Sequence, residues 1–153
     1  MLHKLVSLDR FYRDGRATRL GKLFSDFWAA WSAIGLPSYG MVKLELRGRK
    51  SGLPMSLAVV RTPYRGADFL VSMLGECEWV RNARAHPEAT ITKFSRRDVR
   101  LEEVAVADRA PIIAEYLRHA PGGRPHIGLD VGASLDECAA VAARHPVFRI
   151  VAR

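Results

Sequence analysis

From Met41 onward the chain alternates apolar and polar positions with a period of two. Val42-Lys43-Leu44-Glu45-Leu46-Arg47 predicts a strand with one buried face. The turn Gly48-Arg49-Lys50-Ser51-Gly52-Leu53-Pro54 leads into a second strand through Leu57-Ala58-Val59-Val60. Arg65-Gly66 predicts a hairpin turn before the more continuously apolar strand Phe69–Leu74. Thr90-Ile91-Thr92 and Val99–Val104 predict another hairpin around Ser95-Arg96-Arg97, and Val147–Val151 a closing strand. Upstream the period is helical. Leu20, Leu23, Phe24, Phe27, Trp28, Trp31 and Ile34 form one apolar stripe over 20–34, ended by Gly35 and Pro37, and the charged residues before Arg19 are expected to be loosely held. Three shorter helices are expected. One runs over Glu78–His86, one is capped by Asp108 and runs through Ile112, Ile113, Tyr116 and Leu117, and one is opened by the capping box Ser134-Leu135-Asp136-Glu137. Residues 121–133 read as a Gly/Pro-rich loop.

Strands that follow one another in hairpins, instead of alternating with helices, argue against a parallel doubly wound sheet. They predict an α+β chain that is mainly antiparallel β, a barrel with peripheral helices. Residues 1–40 are expected to form an N-terminal arm and amphipathic aromatic helix, and residues 41–153 the barrel, within one domain of 153 residues.

Composition narrows the function classes. Cys77 and Cys138 stand far apart and in no CxxC pattern, which fits a reduced, cytoplasmic protein. The five histidines are scattered, so no metal site is expected. No apolar run is long enough for a membrane span, and the N-terminus is charged too early for a signal peptide. The net charge of +8 is concentrated in residues 42–100, which carry a net +6. Such a field attracts nucleic acid, anionic lipid or a phosphorylated cofactor, and composition does not choose among them.

Two motifs supply candidate chemistry. In Gly48–Gly52 the glycines allow close approach of a ligand to the main chain, Arg49 offers a planar fork of donors, Lys50 a point charge and Ser51 a hydroxyl. This suits an anion, although a solvated hairpin turn uses the same residue types. In Glu78-Trp79-Val80-Arg81-Asn82 an indole and a carboxamide lie three positions apart on one helix face, which suits a flat heterocycle or, equally, a core tryptophan. Leu74-Gly75 sets a glycine just after a buried strand, where a ring could approach backbone amides. Ser38 and Tyr39 are candidate proton donors, but no Gly-x-Ser-x-Gly elbow is present. The stripe over 20–34 is core, a pocket wall, a membrane-contact surface or part of a homodimer interface.

The order of these pieces resembles the deazaflavin (coenzyme F420)-dependent nitroreductase family, also called the quinone reductase family. The likeness rests on Gly48-Arg49-Lys50-Ser51-Gly52, Phe69-Leu70-Val71-Ser72, Gly75-Glu76, Trp79-Val80-Arg81-Asn82, Arg109-Ala110-Pro111-Ile112, Arg124-Pro125-His126 and Ala143–Phe148. The resemblance implies a split β-barrel of the FMN-binding type and an oxidoreductase. Reduced deazaflavin would pass hydride to a small electron-poor acceptor: a quinone, enone or nitroarene. It implies that Arg49 and Lys50, with Ser51 and Gly52, meet the cofactor's phosphate and oligoglutamate tail. It implies also that Ser72, Met73, Leu74 and Gly75 line the ring together with Glu78, Trp79, Val80, Arg81 and Asn82. Met55 stands where related proteins often carry a basic residue, and a tyrosine found near the C-terminus of some members has no counterpart here. The alternatives are an FMN- or haem-binding split barrel and a non-catalytic basic module that binds nucleic acid. Against the last, no strand face alternates aromatic and basic residues and no helix-turn-helix pattern occurs, so no nucleic acid is expected.

Overall fold

The computed structural model describes residues 40–153. The helix expected over 20–34, the arm before it, and Ser38 and Tyr39 lie outside the described residues. Six strands form a closed antiparallel barrel: β1 Met41–Arg47, β2 Pro54–Tyr64, β3 Ala67–Val71, β4 Glu88–Thr92, β5 Arg96–Glu103 and β6 Val147–Ala152. Their order around the barrel is β1-β2-β3-β6-β5-β4, and β4 pairs with β1 to close it. The antiparallel barrel expected from sequential hairpins, and the split barrel implied by the resemblance, are therefore the fold.

Alternation explains the closure. Val42, Leu44 and Leu46 of β1 are buried, while Lys43 and Arg47 are exposed. The inward rows of the other strands meet them: Leu70, Ile91, Val99, Leu101 and Phe148, with Leu57, Val59 and Ile150 packed at the edge. Helix α1, Glu78–Ala85, contributes Trp79, Val80 and Ala83 to the same core. The β2–β3 hairpin turns through Arg65 and Gly66 at φ +47° and +75°. Two successive left-handed residues match the twist of the paired strands, as the sequence predicts.

Helix α2, Ala110–His119, packs on β2, β3 and α4, Leu135–Ala142, burying Ile112, Ile113, Tyr116 and Leu117. The capping box of α4 is present, with Glu137 N donating to Ser134 Oγ and Ser134 N to Glu137 Oε1, both at 3.1 Å. Two expectations need correction. Asp108 does not cap α2. It closes a 3₁₀ turn, Val106–Asp108, and Arg109 occupies the cap position with its side chain turned inward. Nor are residues 121–133 all loop. Pro121–Gly123 form a 3₁₀ turn and Arg124–Ile127 a short helix, α3, ended by Gly128 at φ +81°. Tyr116 dictates the first of these turns, because its buried ring lies against Gly123 and leaves no room for a Cβ there. We expect Gly123→Ala to destabilise the fold by about 1–3 kcal/mol, the range for overpacking a filled site, measured by urea denaturation.

Candidate functional site

The Gly48–Leu53 turn is closed by its own backbone. Gly48 N donates to Leu53 O at 2.9 Å, and Gly52 N to Gly48 O at 2.8 Å. Gly52 adopts φ +68°, with open space where a Cβ would stand. The hydroxyl of Ser51 accepts from Leu53 N at 3.2 Å and so shapes the turn.

Arg49 ties this turn to α1. Its Nη1 lies 2.7 Å from Glu78 Oε2, and both its backbone N–H and Nη1 donate to Asn82 Oδ1 at 3.0 Å. Asn82 is 2% exposed, and its Nδ2 completes the arrangement by donating to Met55 Sδ at 3.2 Å. Met55 thus has a role of its own at this position: its sulfur accepts from the buried carboxamide. Hydrogen bonding from Arg49, aided by the charges of Arg49, Arg81 and Lys50, holds the Glu78 carboxyl below its usual range. Arg81 reaches the same carboxylate at 3.4 Å. Lys50 is exposed and has no ion-pair partner among the described residues. Arg47, whose Nε donates to Gly52 O at 3.4 Å, flanks the turn. Around one carboxylate the turn and α1 therefore gather three cations, Arg49, Lys50 and Arg81.

The second candidate segment, Ser72–Gly75, is held by the chain just before β6. Ser72 N donates to Pro146 O at 2.9 Å, and Ser72 Oγ donates to Gly75 O at 2.6 Å. His145 Nδ1 lies 2.9 Å from Ser72 O. A carbonyl only accepts, so this nitrogen carries the imidazole proton. Burial, opposed by that hydrogen bond, lowers the His145 pKa below 6.5. Gly75 adopts φ +72° against Arg144 O. Met73 and Leu74 are half-buried.

The structure therefore brings Arg49, Glu78 and Asn82 together and leaves Lys50 and Arg81 facing solvent. Val80 and Trp79 point into the barrel core, where the Trp79 indole meets Phe148 with ring centroids 5.5 Å apart. Sequence reading missed Met55 and His145 as partners of these segments. The Ala143–Phe148 stretch was the available signal for His145. Glu103 meets Arg84 and Arg109 at 2.8 and 3.1 Å.

His145 gives a pH prediction. Its pKa is lower in the folded state than in the unfolded chain, so the unfolded state binds the extra proton and stability falls as pH drops below about 6.5. Glu76, Glu78 and Glu103, all held below the ordinary 4.5 by arginine partners, add a second loss at more acid pH. We expect His145→Asn, which keeps a donor for Ser72 O, to abolish the first limb in thermal melts taken from pH 8 to 5. Persistence of that limb would assign it to another group.

No family model matches the sequence, and no curated protein matches it. Solved structures do match in fold. An F420-H2-dependent reductase is 17% identical, with a TM-score of 0.51, over 72% of this chain and 93% of its own. A heme-binding protein from Mycobacterium smegmatis is 15% identical, TM-score 0.51, over 84% of this chain and 51% of its own. A protein of the pyridoxinephosphate oxidase family from Clostridium acetobutylicum is 12% identical, TM-score 0.51, over 84% of both chains. At these identities the likeness establishes the split barrel as the shared fold.

Proposed function

We propose that this chain is an oxidoreductase that uses reduced coenzyme F420 to transfer hydride to a small electron-poor acceptor such as a quinone, an enone or a nitroarene. The observation that carries the reading is the clasped basic turn. Arg49 is fixed from beneath by Glu78 and Asn82, and Lys50 stands outward beside Arg81 and Arg47. Fixing a turn through a buried carboxamide gives its outward cations a rigid base, which suits a polyanionic phosphate and glutamate tail. The F420-H2-dependent reductase on the same fold supports the assignment.

The residues present fit such a group at its anionic end. Lys50 and Arg81 would hold phosphate and carboxylates, with Gly52 leaving the main chain open. Met73 and Leu74 would offer the apolar edge for the ring, positioned by the bonds of Ser72 and Gly75. Trp79 would support that edge from inside the barrel. When bound, reduced deazaflavin supplies the hydride, and the protein supplies orientation and electrostatics. The proton that completes reduction of the acceptor comes from solvent or from a hydroxyl. Ser38 and Tyr39, the hydroxyls read as donors, lie outside the described residues.

Lys50→Ala is expected to weaken F420 binding about tenfold, the loss of one charge-assisted hydrogen bond, and the difference should shrink as salt rises. Arg49→Ala should weaken it at least as much by freeing the turn, and should be non-additive with Asn82→Ala. Fluorescence titration measures both effects. The activity itself is tested by following oxidation of reduced F420 with menadione-type quinones, cyclic enones and nitroarenes. Oxidation that does not depend on the acceptor, or does not exceed the rate without protein, would remove the reading.

A further inference from the structure

We propose that the barrel mouth opposite the Gly48–Gly52 turn is a second anion site, built by Arg61, Lys93 and Arg97 for a phosphate monoester with an apolar body. Strand alternation sets it up. Along β2 the inward row runs Leu57, Val59, Arg61, and Arg61 lies opposite core residue Leu70. Along β5 it runs Leu101, Val99, Arg97, and Arg97 lies opposite core residue Ile91. Along β4 it runs Ala89, Ile91, and then Lys93 just past the strand end. The inward rows of β4 and β5, which are paired, and of β2, which lies across β1 from β4, thus each carry a cation to this mouth of the barrel. Only one acid joins them from the inward row of β3: Asp68, 3.8 Å from Arg61.

These side chains and Ser95 surround a cavity of about 300 Å³ floored by Val42 and Ile91. A neighbouring cavity of about 420 Å³ shares Arg97 and includes Asp68. Arg61 Nε is buried and has no hydrogen-bond partner among the described residues. Buried donors are normally satisfied, and an orphaned guanidinium N–H beside a cationic cavity is a donor arranged for an acceptor not contributed by the described residues. Lys93 and Arg97 have no ion pair among the described residues. The cavity's own lining carries three cations and no carboxylate, with Asp68, Asp98 and Arg153 on the neighbouring one, so the mouth favours an anion, and two guanidinium groups supply the forked donors a phosphate accepts from. Phe94, 95% exposed at the tip of the β4–β5 hairpin and bordering the cavity, offers an apolar surface to the body that carries the phosphate. The seven residues of β1 separate this mouth from the Gly48–Gly52 turn by about 20 Å, so the site is independent of the redox reading.

The test is an amide-resolved NMR titration of the full chain with inorganic phosphate and with phenyl phosphate at constant ionic strength. We expect saturable shifts at Arg61 and Lys93–Arg97, with phenyl phosphate binding more tightly than phosphate. Arg61→Gln and Arg97→Gln should each weaken binding about tenfold. Arg65→Gln, an exposed cation in the adjacent hairpin turn, should leave it unchanged. Shifts at Gly48–Gly52 report the other site separately. A linear, unsaturated response at the mouth, or one that Arg97→Gln leaves intact in a folded protein, would overturn the proposal.

Discussion

Arg109→Met should destabilise the protein by about 3 kcal/mol, which for a chain of this size lowers Tm by roughly 6–12 °C. Arg109 is 5% exposed, yet it lies at the start of a surface helix. Its Nε donates to Val104 O and its Nη1 to Ala142 O, both at 2.9 Å, and its Nη2 donates to Glu103 at 3.1 Å. One side chain therefore joins the end of β5, the turn before α2 and the last turn of α4. Methionine fills the volume but donates nothing, leaving the buried bond to the Ala142 carbonyl and the partly buried bond to the Val104 carbonyl unmade. Glu103 loses less, because Arg84 still holds it at 2.8 Å and it is partly exposed. Urea denaturation measures the change. A loss below about 0.5 kcal/mol, the scatter of ordinary surface substitutions, would mean that the network is incidental.

Gly75→Ala should cost about 2–4 kcal/mol, and Gly52→Ala only about 1 kcal/mol. Both glycines adopt left-handed backbone, at φ +72° and +68°. A Cβ at Gly52 meets nothing within 4 Å, whereas at Gly75 it would stand 2.8 Å from Arg144 O. The difference between the two variants isolates that contact from the conformational term. Gly75 also closes the Ser72 loop, so its substitution should reduce F420 affinity and acceptor reduction along with stability. Equal destabilisation of the two variants would show that the Arg144 contact yields without cost.

The barrel was legible because β1 and its neighbours alternate cleanly, and because Arg65-Gly66 is a turn signal with a definite backbone consequence. The length of β2 was not. Pro54, Ser56 and Pro63 interrupt its pattern, yet these residues are exposed, where a missing apolar side chain costs little. Arg109 was hidden because Asp108 offers the more obvious cap, and because the carbonyls that hold Arg109 belong to residues as far as 33 positions away. The candidate site was half legible. Its cations and glycines announce an anion, but the clasp that directs them pairs Arg49 with Glu78, 29 positions on, and that pairing follows only from barrel closure. Trp79 and Val80 illustrate the limit of periodicity. A helix face shared by an indole and a carboxamide is compatible with a ligand or a core, and the fold turns the indole inward while Asn82 reaches the turn.

Equilibrium titration of the purified chain with F420, FMN and haem, each at low and high salt, decides whether the barrel is a deazaflavin protein. Saturable binding of F420 is expected at micromolar concentrations or below, weakened by salt and by Lys50→Ala, with FMN and haem binding far more weakly. Tighter binding of FMN or haem, or no binding of any of the three, would contradict that assignment.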